Sequence, residues 1–318
     1  MTGRNKKTVF LLVVSLFAFS MLGCVDQSGG EVRSSEHAQT EKLEQYKKEG
    51  DNLKIVATSV AVMQICEKLD VDLVGVPKSD LVDIPKRYSK AESVGSPMSP
   101  DLEILSSISP DWVLSPSSLA SDLQPKYEAA GLAYAFLNLK SIPGMFQSIK
   151  ELGMILDREE QSQKMLDEYE SFYETYQGSH QGKTSPTVLI LMGLPGSYVV
   201  ATENSYVGSL VEMAGGTNVY AGTEEEFLNI NTEDMLEKQP DIILRTAHAM
   251  PESVMEMFAE EFETNDVWKH FRAVEYGQVY DLSNEQFGMS ANFNYQDALD
   301  TLDRLFYADH LILGGQDE

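Results

Sequence analysis

The stretch PDLEILSSISPDWVL, residues 100–114, occurs a second time in altered form as INTEDMLEKQPDIIL, residues 230–244. The two copies align without a gap at an offset of 130 residues, so that Glu103 matches Glu233. Each copy has an acid in the first turn of a helical pattern, then a Pro-Asp pair typical of a turn, then an apolar run typical of a buried strand. The repeat therefore predicts two related lobes, each with this helix-turn-strand unit.

Short apolar runs alternate with helical patterns on both sides of the two copies. Strand-like runs include LKIVA and DWVLSP in the first half of the chain, and TVLILMGL, YVVAT and DIILRT in the second half. Helical patterns such as VAVMQICEKL lie between many of these runs. Strands that alternate with helices predict a mostly parallel sheet with helices on both faces. The predicted fold class is therefore α/β, with two Rossmann-like lobes.

A long amphipathic pattern lies between the two halves. Asp157 and Glu160 have the spacing of a capping box, and aromatic side chains then recur at helical intervals. This predicts one connecting helix over residues 157–178, between an N-terminal lobe at residues 53–156 and a C-terminal lobe at residues 186–310. We interpret the aromatic stripe as packing rather than as a cofactor site.

The N-terminus has the pattern of an export signal. Residues 1–23 carry three basic side chains and no acid, followed by an apolar run that is short for a membrane span. The run ends in SMLGC, which resembles a bacterial lipobox with Met21 in place of the usual leucine and predicts lipidation of Cys24. The alternatives are an uncleaved anchor or a plain secretory signal. The polar residues 24–52 then predict a flexible tether that holds the domain at the extracytoplasmic face of the membrane.

Charge and cysteine content exclude several classes. The chain has a formal net charge of −26, and removal of residues 1–23 makes it −29. Nucleic-acid binding requires a dense basic surface, and so does attachment through a polybasic membrane patch, so membrane contact is expected only through the lipid anchor. With Cys24 lipidated, Cys66 is the remaining thiol, and no intramolecular disulfide is expected.

The glycine-rich stretches do not match catalytic motifs. GLPGS, residues 193–197, lacks the glycine that follows the serine of a nucleophile elbow and the Lys-Ser/Thr pair of a phosphate loop. MAGGTN, residues 213–218, follows a helical pattern and is typical of a helix C-terminus. We therefore predict that the chain is not an enzyme.

Two residues with soft or borderline donor atoms occupy predicted pocket edges. His248 follows the strand-like run DIILRT, and ligands of open α/β sheets bind beyond the carboxyl ends of the strands. Met98 lies directly before a helix that Ser99 can cap and Pro100 can start. Taken singly, Met98 is better explained as a packing residue and His248 as a loop residue, because methionine commonly fills gaps and most histidines are not ligands. Their placement, one in each lobe, favours a shared ligand.

A thioether with an imidazole is an axial pair seen for haem iron and a poor set for hard cations. A manganese or zinc receptor would need several convergent histidines and carboxylates. The remaining histidines form no such cluster: His37, His180, His270 and His310. The donor types therefore favour haem iron over a bare metal ion.

Three segments carry a resemblance to a known family: SPMSPDLE, RTAHAMP and NEQFGMSANFNYQDALDTLDRLFY. They resemble ABC-importer substrate-binding proteins with two lobes joined by a rigid backbone helix. Within that family the sequence is similar to the haem-receptor lipoproteins of the iron-regulated surface determinant system of Gram-positive bacteria, from about Leu53 to Tyr307. The resemblance implies that Met98 and His248 are the axial ligands of one haem, held between the lobes as the transported ligand.

The resemblance also implies partners. Members of the family present one acid per lobe to an ABC permease, and Glu103 and Glu233 match those positions, although each acid can instead serve only to complement a helix dipole. Surface haem-transfer proteins are expected as donors, and the receptor is expected to be a monomer.

The haem propionates need polar partners in a chain with few cations. Backbone N–H groups at a helix start can supply them, and ATSVAV, residues 57–62, enters the first helix directly after the first strand. Ser59, Val60 and Ala61 are therefore the propionate candidates. The alternative is a simple serine cap without a ligand.

Other functions remain open at this point. The same architecture serves receptors for other bulky iron chelates, such as siderophores, and for corrinoids. Anionic siderophores would need convergent arginines, and only Arg245 is obviously near the predicted cleft. A tethered hydrolase or adhesin with the same fold is a third class, because fold alone does not determine function.

Overall fold

The computed structural model describes residues 53–79, 82–180 and 182–307. The predicted signal segment, the tether with Cys24, and residues 308–310 of the predicted second lobe lie outside the described residues. Among the helices of the described ranges, none is both long enough and apolar enough to cross a membrane.

The N-terminal lobe contains a five-stranded sheet in the order β3-β2-β1-β6-β7, and all its pairings are parallel. A separate antiparallel hairpin of two short strands, β4 and β5, follows β3. The strands of this lobe are β1 (Ile55–Ala57), β2 (Gly75–Val76), β3 (Glu92–Ser93), β4 (Gly95–Ser96), β5 (Ser99–Pro100), β6 (Trp112–Pro116) and β7 (Tyr134–Leu137). Its helices are α1 (Val60–Lys68), α2 (Leu102–Ile108), α3 (Ala120–Ala129) and α4 (Ile142–Ile155).

The C-terminal lobe contains a six-stranded sheet in the order β11-β9-β8-β12-β13, with β10 also paired to β8. Its strands are β8 (Thr187–Leu194), β9 (Ser197–Ala201), β10 (Thr217–Asn218), β11 (Phe227–Leu228), β12 (Ile242–Ala247) and β13 (Val279–Asp281). Its helices are α6 (Tyr206–Met213), α7 (Thr232–Lys238), α8 (Pro251–Thr264), α9 (Arg272–Glu275), α10 (Asn284–Phe287) and α11 (Tyr295–Tyr307), and α5 (Glu159–His180) connects the lobes.

The second sheet is mixed rather than parallel throughout. Strand β8 pairs in parallel with β10 and β12, as expected, but β9 runs antiparallel to β8 and β11 runs antiparallel to β9. Only Pro195 and Gly196 separate β8 from β9, and a connection this short joins antiparallel neighbours. Gly196 has φ +82°, which a glycine adopts readily.

The two copies of the repeat have the same local structure. Helices α2 and α7 start and end at positions 130 residues apart, and they begin after the equivalent caps Asp101 and Asn231. Both helices end at a left-handed residue, Ser109 at φ +49° and Gln239 at φ +43°. The two lobes therefore share the helix bounds, the type of N-terminal cap and the left-handed C-terminal residue, as the repeat predicts.

The aspartate of each Pro-Asp turn fastens the repeat to the first strand of its own sheet. The Asp111 carboxylate accepts a hydrogen bond from the backbone N–H of Lys54 at 2.8 Å. In the second lobe the Asp241 carboxylate accepts one from the backbone N–H of Thr187, also at 2.8 Å. The turns therefore align β6 with β1, and β12 with β8.

The connecting helix α5 begins at Glu159, two residues later than the predicted start, because Asp157 has the left-handed angle φ +56°. Its aromatic stripe packs against both lobes. Tyr295 of the C-terminal lobe meets Phe146, Tyr169 and Phe172 edge-on at centroid distances of 5.8, 6.1 and 5.5 Å. One continuous buried core therefore extends from the first lobe through α5 into the second.

Candidate functional site

The order of the strands defines a crevice in each lobe. From β1 the chain proceeds to β2 on one side of the first sheet, and from β6 it proceeds to β7 on the other side. In the second sheet the chain turns from β8 to β9 on one side and proceeds from β12 to β13 on the other. The crevice at such a switch point, beyond the carboxyl ends of the strands, is where open α/β sheets bind ligands. The candidate residues Ser59, Val60 and Ala61 follow β1, and His248 follows β12.

His248 is held by its backbone and not by its side chain. Its N–H donates to the carbonyl of Gly193, the neighbouring strand residue, at 2.9 Å. The imidazole is half-buried, its Nδ1 atom is fully buried, and no residue in the described ranges forms a hydrogen bond with Nδ1. Burial lowers the pKa of His248 below its usual value of 6.5. The ring is therefore neutral near pH 7 and suited to bind a metal through a nitrogen lone pair.

Met98 lies in the turn of the β4–β5 hairpin, beyond the carboxyl end of β3. Its side chain is 58% exposed, so it does not fill a gap in the core. The expectation that Ser99 caps a helix and Pro100 starts it is wrong, because both residues pair with β4. Asp101 caps α2 instead, and its carboxylate accepts hydrogen bonds from Glu103 N–H at 2.9 Å and Ile104 N–H at 3.0 Å.

The start of α1 combines a cap with unpaired donors. The Ser59 hydroxyl accepts a hydrogen bond from the backbone N–H of Val62 at 3.3 Å, and the Ser59 carbonyl accepts one from Met63 at 2.9 Å. The N–H groups of Val60 and Ala61 have no partner within the described part of the chain. The serine is thus a cap, as the simpler alternative proposed, and the helix still offers two free N–H groups to an anion.

Glu103 and Glu233 occupy equivalent positions in the first turns of α2 and α7, and both are exposed. Neither carboxylate forms a hydrogen bond or ion pair with any residue that the structure describes. Both are therefore available to cations of another molecule.

Sequence reasoning missed Ser117, which lies directly after β6. Its hydroxyl oxygen is fully buried and has no hydrogen-bond partner among the described residues. The repeat could have pointed to this turn, because the offset of 130 residues matches Ser118 with His248 and Ser117 with its neighbour Ala247. Because a serine is common in turns, this signal alone does not distinguish a binding residue from a turn residue.

Arg245 is already engaged. Its guanidinium binds both oxygens of Asp281, at 2.6 and 2.8 Å, and lies over the ring of Phe262 at 4.7 Å from the centroid. A bidentate pair of this kind leaves no free charge for an anionic chelate. The one arginine that sequence reasoning placed near the cleft therefore gives no support to siderophore binding.

Other chemistry finds little support in the described ranges. They contain no group of three or more His, Cys, Asp and Glu side chains that could hold a bare metal ion. Cys66 is buried, and burial raises the pKa of its thiol to about 12, so it is an inert core residue.

Comparison with known proteins agrees with this geometry. A family model described as "Periplasmic binding protein" matches residues 55–285. The curated "High-affinity heme uptake system protein IsdE" of Staphylococcus aureus is 40% identical over 272 residues, which are 85% of this chain and 92% of that protein.

Two solved structures are also similar. An ABC transporter substrate-binding protein from Listeria monocytogenes is 47% identical with a TM-score of 0.76, over 80% of this chain and 99% of that one. S. aureus IsdE complexed with heme is 41% identical with a TM-score of 0.76, over the same shares of the two chains. The substrate-binding proteins among these relatives are not enzymes. Because the chain has two α/β lobes joined by a connecting helix, and because the family model matches most of its length, it belongs to the periplasmic binding protein family.

Proposed function

We propose that this chain is a membrane-anchored haem receptor that binds one haem between its lobes and delivers it to an ABC permease for iron acquisition. The observation that carries the proposal is the half-buried, neutral imidazole of His248 at the switch point of its sheet, where no described residue forms a hydrogen bond with Nδ1. A buried polar atom without a partner is uncommon, and a functional role of its side chain is one explanation for it. The choice of haem as the ligand is supported by two comparisons. A relative is named as a haem uptake protein, and the crystal structure of a relative is a complex with haem.

Met98 supplies the second axial ligand in this proposal. Its thioether is exposed, so it is free to turn toward a ligand, and sulfur opposite imidazole suits iron in a porphyrin. With both axial positions filled, no open position remains for oxygen chemistry, which fits a carrier. Most of the affinity is expected to come from burial of the porphyrin face.

Delivery requires attachment and docking. Proteins of this kind act outside the cytoplasm in association with the membrane and with an ABC transporter. In our proposal Cys24 carries the lipid, residues 24–52 form the tether, and Glu103 and Glu233 bind basic side chains of the permease. The protein acts as a monomer and receives haem from surface transfer proteins.

An absorption titration tests the proposal. Purified full-length chain is mixed with haemin, and in parallel with a ferric catecholate siderophore and a corrinoid. We expect a saturable low-spin haem spectrum with one haem per chain, and no saturable change with the other two ligands. A saturable response only to the siderophore or only to the corrinoid would contradict the haem proposal and identify the chain as a receptor for that ligand.

Met98→Ala is expected to convert the bound haem from low-spin to high-spin, because the iron loses one strong axial donor. Affinity should fall on the order of tenfold, since the porphyrin face is still buried. The matched control is Met250→Ala, which removes another methionine that is 61% exposed and lies two residues after His248. If both variants keep the low-spin spectrum, the sulfur ligand is not Met98.

Haem affinity should depend on pH through His248. Protons compete with iron for the imidazole, so affinity falls as the pH drops through the pKa of the free ring. Because burial lowers that pKa below 6.5, affinity should stay constant from about pH 8 to about pH 6.5 and decline only below that. Titrations across this range measure the profile. A decline that begins above pH 7 would contradict the assignment.

A further inference from the structure

The ring of His248 lacks the contact that usually orients a metal-binding histidine. Such a ring normally donates a hydrogen bond from its second nitrogen to a carboxylate, a backbone carbonyl or a water. The Nδ1 atom of His248 is fully buried, and no residue in the described ranges forms a hydrogen bond with it. The direction of the ring is therefore set by the backbone that carries it.

The peptide group between Ala247 and His248 is held at both ends. Its N–H donates a hydrogen bond to the carbonyl of Gly193 in β8 at 2.9 Å. Its carbonyl accepts one from the side-chain amide of Asn284, the first residue of α10, which follows the neighbouring parallel strand β13. Because a peptide group is planar and trans, these two bonds lie on opposite sides of it and together fix its plane.

A second hydrogen bond joins the same two elements without touching this peptide group. The Thr246 hydroxyl of β12 donates to the carbonyl of Phe287, the last residue of α10, at 2.7 Å. Helix α10 is thus fastened to the end of β12 at both of its own ends. The two bonds are alike in kind, a side-chain donor with a backbone carbonyl, but only the bond of Asn284 acts on the peptide group of His248.

We propose that Asn284 is a positioning residue that acts through His248, because its amide holds the peptide group that aims the imidazole at the haem iron. A binding group that is held in its bound orientation loses little conformational freedom when the ligand arrives, so affinity is gained without a further contact. This inference rests on the proposed function and adds to it the residue that orients the nitrogen ligand.

The test compares variants of the purified full-length chain in absorption titrations with haemin. Asn284→Asp keeps the shape of the side chain but loses the donor, and Asn284→Ala loses it without adding a charge. We expect both to weaken haem binding by about tenfold and to convert part of the low-spin spectrum to high-spin, as loss of a group that orients a ligand does. The matched control Thr246→Val should lower the melting temperature but keep the wild-type spectrum and affinity.

A second measurement separates positioning from direct contact with haem. In His248→Ala, free imidazole added to the solution can bind the iron without being attached to the backbone. Asn284→Ala combined with His248→Ala should then give the same imidazole-restored spectrum and the same haem affinity as His248→Ala alone. If Asn284→Ala weakens haem binding equally with and without the His248 side chain, Asn284 does not act through His248.

The outcomes separate the positioning role from the function. If the wild-type chain binds haem and the spectra of Asn284→Ala and Thr246→Val change to the same extent, or neither changes, the positioning role is wrong while the haem receptor stands. If the wild-type chain shows no saturable haem spectrum, the proposed function fails, and the positioning role fails with it.

Discussion

Replacement of His248 by alanine is expected to abolish the low-spin haem spectrum and to lower haem affinity by at least about 100-fold. Loss of a residue that merely supports a metal ligand typically costs 10- to 100-fold in affinity, and His248 is proposed as the ligand itself. The Nδ1 atom of the imidazole has no hydrogen-bond partner among the described residues, so removal of the ring should not unfold the loop. Absorption titration with haemin, beside thermal unfolding of the same samples, measures both effects.

The control for this variant is His270→Ala. His270 belongs to the same lobe, is exposed, and uses its backbone carbonyl rather than its ring to bind Gln239. This variant should bind haem like the wild-type chain. Addition of imidazole to His248→Ala should restore part of the low-spin spectrum, because free imidazole can occupy the vacated position. A wild-type spectrum from His248→Ala would place the nitrogen ligand elsewhere.

The sequence predicted the architecture well because the repeat fixes backbone geometry at matched positions. In each copy of the repeat, an aspartate or asparagine side chain caps the helix and a residue in the left-handed region ends it. The aspartate of the following Pro-Asp turn then accepts a hydrogen bond from the first strand of the sheet or the residue just before it. These are local devices, and each leaves a trace in the amino-acid pattern. Two lobes with parallel central strands follow from that pattern alone.

The errors arose where two local solutions compete. Ser99 and Asp101 are both good helix caps, and the pairing of Ser99 with Ser96 in the hairpin decides for Asp101. The direction of the run YVVAT was not predicted, because this pattern fits a parallel strand or an antiparallel strand equally well. Its direction is set by the short connection through Pro195 and Gly196. Apolar patterns do not report strand direction.

The candidate site was only partly predictable. The position of His248 follows from its place after a strand, since the carboxyl edge of a parallel sheet is the usual binding edge. Within the described ranges its Nδ1 and the hydroxyl of Ser117 have no hydrogen-bond partner, and this depends on neighbours distant in sequence. The occupation of Arg245 by Asp281 is also a tertiary contact, across paired strands, that composition does not reveal.

Reversal of both proposed docking charges, Glu103→Lys with Glu233→Lys, is expected to abolish haem uptake without a change in haem affinity. Like charges placed opposite each other across an interface cost several kcal/mol, and two such contacts act together in one complex. Both side chains are exposed, and neither forms an ion pair with a residue that the structure describes, so neither change should disturb the fold. Growth of cells on haem as the iron source, with the variant as their one copy of the receptor, measures uptake, and absorption titration measures affinity.

The matched control is Glu151→Lys with Glu260→Lys. It changes the net charge by the same amount, with one exposed acid from each lobe, on helices α4 and α8. This pair should support normal growth, whereas each single reversal at Glu103 or Glu233 should give intermediate growth, because one of the two contacts remains. If the control pair fails as badly as the docking pair, overall charge rather than docking governs uptake. If the docking pair supports normal growth, these acids serve only the dipoles of α2 and α7.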